Sequence, residues 1–197
     1  MRSTTELREQ ILAAARAEFA GYGLAGSRID RIAKNAHASK ERLYAHFGDK
    51  DALFREVLAA DAETYFSAVR VDPERVAEFV GEIYDLARSH PELLRMITWA
   101  RLEGLSLLDP RDDADSAPAQ AVARIEEAQA AGRVDGAWVP ADLLALLLAT
   151  GLAWAQSPHP DARTDDPAVV AARRAAAVEA AERIVAPRPG AAVVSPA

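Results

Sequence analysis

The chain has 197 residues, half of them apolar, which is enough to bury a hydrophobic core, and with no cysteine it has neither disulfides nor thiolate metal sites. Its net charge of −7 argues at first against a polyanionic partner. The four histidines are scattered without a metal-ligand spacing, so no metal and no other cofactor is expected.

The distribution of charge reverses the first impression. Residues 1–50 carry nine Lys/Arg against six Asp/Glu, a balance of +3, whereas residues 51–197 carry fourteen against twenty-four, a balance of −10. All three lysines, Lys34, Lys40 and Lys50, lie in the first part. A small polyanion-binding head on an acidic body fits this asymmetry. The polar start MRSTTELREQ does not read as a secretory signal. The longest apolar stretch, Leu143 to Ala155, is shorter than the roughly 20 residues a membrane helix needs. A soluble, cytoplasmic protein with no membrane partner is expected.

Apolar residues recur at helical spacing and strand signals are nearly absent, so the expected class is all-α, with about nine helices. Leu7, Ile11, Ala15 and Phe19 form one stripe of a first helix over 4–21, ended by Gly21 and Gly23. Ser27 is placed to cap a second helix over 28–35, with Ile29, Ile32 and Ala33 inward. Ser39 is placed to cap a third over 40–46, anchored by Leu43, and Asp49 a fourth over 50–70. Proline follows a plausible cap at Asp72-Pro73, His90-Pro91, Val139-Pro140 and Asp166-Pro167, opening helices over 73–89, 91–108, 140–156 and 167–186. A further helix over 117–131 ends at Gly132. Residues 109–115 and 157–165 read as loops, and the Pro/Gly/Ala-rich tail over 187–197 as disordered. The expected domains are 1–49, a helix-turn-helix head, and 50–186, a body for ligand binding and dimerisation.

The informative segment is SRIDRIAKNAHASKERLYAHFGDKDALF, residues 27–54. It reads as helix, three-residue turn, helix, then a capped fourth helix. The third helix would expose Lys40, Glu41, Arg42, Tyr44 and His46 while Leu43 and Phe47 anchor it. A short helix with an apolar anchor and a cationic outer face has the form of a major-groove reading head. The same pattern also suits a small three-helix bundle whose outer charges are only solvated.

The segment resembles the signature of the tetracycline-repressor-like (TetR) regulators. It matches at Ile32, Ala33, Ala36, Ser39, Leu43, Tyr44, His46, Phe47, Lys50 and Leu53, with Ser27 in place of a threonine. It departs at His37, where the turn glycine is usual, at Glu41, where many members have glycine, and at Ala45. The resemblance implies base or near-base contacts from Lys40, Arg42 and Tyr44, and phosphate contacts from Arg28, Ser39, Tyr44, His46 and Lys50. Ser27 and Glu41 complete the expected DNA-facing set. Tyr44 would otherwise serve as core, and Lys50 as a solvated charge. Lysine at a helix N-terminus is not favoured by the dipole, so phosphate binding explains it better.

In the body, the run LLALLLATGLAWA is apolar almost all round and asks to be buried on two faces. Together with Val169, Val170, Ala177, Val178, Ala181, Ile184 and Val185 it offers a homodimer interface, or an ordinary intrachain core. Met96, Trp99 and Glu103 share a helical face at i, i+3, i+7. With Phe66, Phe79, Ile83, Tyr84 and Trp154 they would wall a pocket for a small lipophilic effector, cationic if Glu103 faces it. The same residues would also make plain core with a surface glutamate. No nucleophile–base pair, phosphate-cradling glycine loop or paired carboxylates are apparent, so no enzyme is expected. The reading is a ligand-responsive repressor that binds a palindromic operator in double-stranded DNA as a dimer. The rival is an α-helical module that binds no DNA.

Overall fold

A computed structural model describes residues 4–66, 69–105 and 116–188, with the side chains of 62–66 and 160 left aside. Among the described residues there are nine α-helices, one short 3-10 turn and no strand. The helices are α1 (Thr4–Gly26), α2 (Ile29–Asn35), α3 (Lys40–Phe47), α4 (Lys50–Phe66), α5 (Glu78–Ser89), α6 (Pro91–Leu102), α7 (Ala117–Ala130), α8 (Pro140–Leu152) and α9 (Pro167–Val185). None of them is long and apolar enough to cross a membrane. α6 ends at Leu102, short of the expected 108, and α4 is helical to Phe66; residues 67–68, the expected loop 109–115 and most of the tail fall outside the described residues.

The chain divides into two compact units, each discontinuous in sequence. The first is Met1–Tyr65 with His90–Asp109, the second Phe66–Ser89 with Pro110–Ala197. The head is therefore larger than residues 1–49. Leu53, Phe54, Val57 and Leu58 of α4 and Met96 and Ala100 of α6 join the same core as α1–α3, because those apolar stripes have no other cover in the unit. Leu7, Ile11, Ala15 and Phe19 are buried as the helical spacing requires. Phe19 meets Phe54 edge to face at 5.0 Å between ring centres. Fully burying side chains of this size stabilises by roughly 1.5–3 kcal/mol each.

Two buried carboxylates also organise the first unit. Asp61 of α4, 2% exposed, receives both arms of the Arg16 guanidinium from α1, one of them at 2.7 Å. Glu18 of α1, 5% exposed, accepts the Arg28 backbone N–H and Arg31 Nε, each at 2.8 Å. α1 extends beyond its expected end, but its helical path breaks at Gly23, with φ 67°. A Cβ there would stand 2.8 Å from the Trp99 ring, so glycine is needed both for the conformation and for the contact.

In the second unit α5 packs on α8 and α9, and α7 on α8, around Val80, Ile83, Ile125, Leu143, Leu147, Ala177 and Ala181. Two glycines let α5 approach its neighbours. A Cβ on Gly151 of α8 would lie 2.7 Å from Ile83 and 3.0 Å from the Val80 carbonyl oxygen, and one on Gly81 would lie 2.7 Å from the Arg174 guanidinium. Pro91, Pro140 and Pro167 open their helices as read, but Pro73 does not. Asp72 and Pro73 start a tight turn instead, in which an Asp72 carboxylate oxygen accepts from Glu74 N–H at 2.9 Å, and α5 begins only at Glu78. α8 stops at Leu152, so Trp154 sits in a turn after it.

Candidate nucleic-acid interface

α2, the turn and α3 form a helix-turn-helix built from short-range signals. α2 closes with a paired-carbonyl motif: His37 N–H donates to the Lys34 carbonyl at 3.2 Å, and Ala38 N–H to the Ala33 carbonyl at 2.9 Å. The motif needs a left-handed residue, and His37 supplies it with φ 49°. The same closure ends α6 at Gly104 (φ 72°) and α7 at Gly132 (φ 70°). His37 thus does what glycine does elsewhere in this chain, at a conformational cost of about 1 kcal/mol. Ser39 caps α3, its Oγ accepting from Arg42 N–H at 3.3 Å, and Asp49 caps α4 through Ala52 N–H at 2.7 Å.

Ser27 does not cap α2. It is buried and its hydroxyl donates to the Leu24 carbonyl at 2.8 Å, while the cap position belongs to Arg28, which has no side-chain cap of its own. Glu18 of α1 instead accepts the N–H of that residue, a long-range partner that local spacing does not reveal. The Arg31 guanidinium that Glu18 binds also lies over the Tyr22 ring at 4.2 Å.

α3 turns Leu43 and Phe47 into the core and leaves Lys40, Glu41, Arg42, Tyr44, Ala45 and His46 outward. Tyr44 is 46% exposed, which rules out the core alternative for it. Arg28, Lys34 and His37 are exposed as well. Lys50 is half-buried, and its Nζ reaches the Ser27 carbonyl at 3.4 Å, joining the start of α4 to the entry of α2. Lys40 pairs with Asp30 of α2, both side chains being about half exposed. Glu41 does not pair with Arg42 or Lys40 as its first partner. Its own backbone N–H and then the Ser39 hydroxyl hold its carboxyl below the ordinary range. That folds its charge back onto the helix start.

The expected effector set divides between the two cores. Met96 is buried and Trp99 half-buried in the first unit, whereas Phe79 and Ile83 lie in the second, with Tyr84 edge to face on Trp154 at 5.7 Å. Glu103 is exposed. α6 ends at Leu102 and Glu103 is its C-cap, its N–H still donating to the Trp99 carbonyl at 3.0 Å. The Phe66 side chain lies outside the described residues.

α8 and α9 each show two faces. Leu143, Leu144, Leu147, Ala177, Val178, Ala181 and Val185 are intrachain core, so the interface residues expected among them are used within the subunit. The opposite faces carry Ala145, Leu146 (42% exposed) and Ala149 on α8, and Ala168, Ala172, Ala175 and Ala176 on α9.

A cationic helix standing outward on a helix-turn-helix defines a DNA-binding module. Residues 11–57 match the profile of the bacterial regulatory proteins, tetR family, and residues 75–183, more than half of the chain, match the tetracyclin repressor-like C-terminal domain. The chain belongs to the tetR family and is a DNA-binding transcriptional regulator, not an enzyme.

The chain is 38% identical over 141 residues to the HTH-type transcriptional repressor SCO4008 of Streptomyces coelicolor, covering 71% of this chain and 73% of that protein. Over 113 residues it is 28% identical to the HTH-type transcriptional regulator RutR of Escherichia coli, covering 54% and 53%. Among solved structures, SCO4942 of Streptomyces coelicolor, described as a candidate transcriptional regulator, is 40% identical with a TM-score of 0.79, covering 92% of this chain and 99% of that one.

Proposed function

We propose that this regulator represses transcription as a homodimer on a palindromic operator, in the cytoplasm, and releases the DNA when a small lipophilic effector binds. The observation that carries the reading is α3, with Lys40, Arg42, Tyr44 and His46 outward over the buried anchors Leu43 and Phe47. Arginine and lysine at such positions donate to guanine edges, and tyrosine, serine and histidine to phosphates. Lys50 keeps ammonium donors beyond its bond to Ser27 and supplies a phosphate contact, as do Arg28 and Ser39. The outward alanines of α9 and Leu146 of α8 support a two-fold interface, because small residues let helices approach closely and two heads then read two half-sites. The edge-to-face pair of Tyr84 and Trp154 supports an aromatic effector wall in the second unit.

Fluorescence anisotropy with a mixed-sequence duplex at low and high salt tests the DNA reading. A DNA binder shows affinity falling steeply with salt; a helical module with no DNA role binds at neither condition. Lys50→Ala is expected to weaken all sequences alike and to reduce the salt slope by about one phosphate contact, whereas Arg42→Ala changes which bases are tolerated. Assembly is tested at Leu146, whose side chain is not needed in the subunit core. Leu146→Glu is expected to sediment as a folded monomer where the parent sediments as a dimer. A parent that is monomeric at micromolar concentration removes both the dimer and the palindrome.

A further inference from the structure

Asp30 is an acidic side chain on the face otherwise rich in cations. It lies in the first turn of α2, and its carboxylate binds the Lys40 ammonium at the first residue of α3. Lys40 stands where the α3 dipole disfavours a positive charge, so a partner is called for. Arg28 adds a weaker attraction on Asp30, and the Lys40 bond is the first cause of its lowered carboxyl pKa. Tyr44 and Glu41 are the remaining groups that bear on Lys40. The pair therefore bridges the two helices of the helix-turn-helix across their opening, on the solvent side. An ammonium has three donors: one held by Asp30 leaves two for a base edge.

Resting on the reading of α3 as the DNA-facing helix, we infer that Asp30 is a specificity-determining residue that acts through Lys40. It tethers the ammonium so that it reaches a base edge in one register and does not reach any phosphate that passes. A free lysine on a flexible stem pairs with phosphates wherever the head lands, which raises affinity for all DNA alike. Tethered, it must give up Asp30 to do so, and generic DNA offers no base contact in return. The carboxylate also repels phosphates that would approach in a wrong register. Glu41, turned back on Ser39, adds no second anchor for Lys40 beyond its charge.

The test compares the parent, Asp30→Asn, Lys40→Ala and the double variant on two probes: a mixed-sequence duplex, and a duplex enriched from a random pool by the parent protein. Asp30→Asn is expected to bind the mixed duplex about three- to tenfold more tightly, with a salt slope steeper by about one contact. Its preference for the enriched duplex is expected to fall by a similar factor. In the Lys40→Ala background the same substitution is expected to change generic affinity less than twofold and to leave the preference unmoved. Asp30→Glu, which keeps the tether charge, is expected to restore most of the preference. Thermal midpoints report that the five proteins are equally folded. If Asp30→Asn has the same effect with and without Lys40, Asp30 acts only as surface charge and the inference is overturned. If Lys40→Ala binds both probes like the parent, the DNA-facing reading of Lys40 fails and the inference falls with it. If Asp30→Asn leaves the preference intact while Lys40→Ala removes it, Lys40 reads bases without help and only the inference fails.

Discussion

The two units are keyed in different ways. In the first, helices are fixed by charge: Glu18 and Asp61, each nearly buried, are answered by Arg31 and Arg16. In the second, α5 is fixed mainly by shape, Gly151 of α8 lying so close to Ile83 and the Val80 carbonyl that a Cβ would collide, while Gly81 leaves room for the Arg174 side chain. The difference follows what each must do. The head carries its charged outer face on the short helices α2 and α3, so directional bonds supplement its core in setting helix angles. In the body α5 is aligned on α8 by close packing, which is insensitive to salt and pH, and its side toward α9 is held as well by Arg174 on Asp85 and Glu78. Directional bonds specify angle more than they stabilise, since desolvating the charges offsets most of their attraction.

The largest effect is expected from removing one side of a charge key. Asp61→Ala leaves Arg16 without the two oxygens that bind it, at a cost of about 2–4 kcal/mol, the exposed part of Arg16 softening the loss. Urea denaturation reads this as a lowered midpoint, and a cost under about 1 kcal/mol would mean that the head does not rely on the pair. The body is probed next by Gly151→Ala, whose Cβ would press on Ile83 and on the Val80 backbone oxygen. A backbone atom cannot rotate away, so the expected cost is about 1–3 kcal/mol by the same measurement.

His37→Gly is expected to act in the opposite sense, raising stability by about 0.5–1 kcal/mol, because the left-handed conformation at φ 49° is relieved. A loss would show that the His37 ring makes contacts worth more than the strain. The smallest effect belongs to Gly81→Ala, at about 0.5 kcal/mol or less in either direction. Its clash is with the tip of Arg174, which can swing while the helix gains an alanine. If Gly81→Ala matched Gly151→Ala in cost, Arg174 would be a fixed part of the packing, held by Asp85 at 2.8 Å and Glu78 at 3.6 Å.

Much of this protein was legible along the chain. Ser39, Asp49 and Asp166 cap α3, α4 and α9, and Gly132 closes α7, because caps and helix ends are made by residues two to five positions apart. The outward face of α3 follows from helical periodicity alone, which is why Lys40, Arg42, Tyr44 and His46 emerge where the sequence puts them. Long-range partnership was decided only by the tertiary structure. Glu18, not Ser27, holds the start of α2 from a helix ten residues earlier, and Asp61 meets Arg16 across 45 residues. α6 stopped at Leu102, short of the expected 108, and α4 and α6 joined the head because their apolar stripes found cover there. Periodicity says that a face is apolar, but not what lies against it; that depends on contacts closed over long loops.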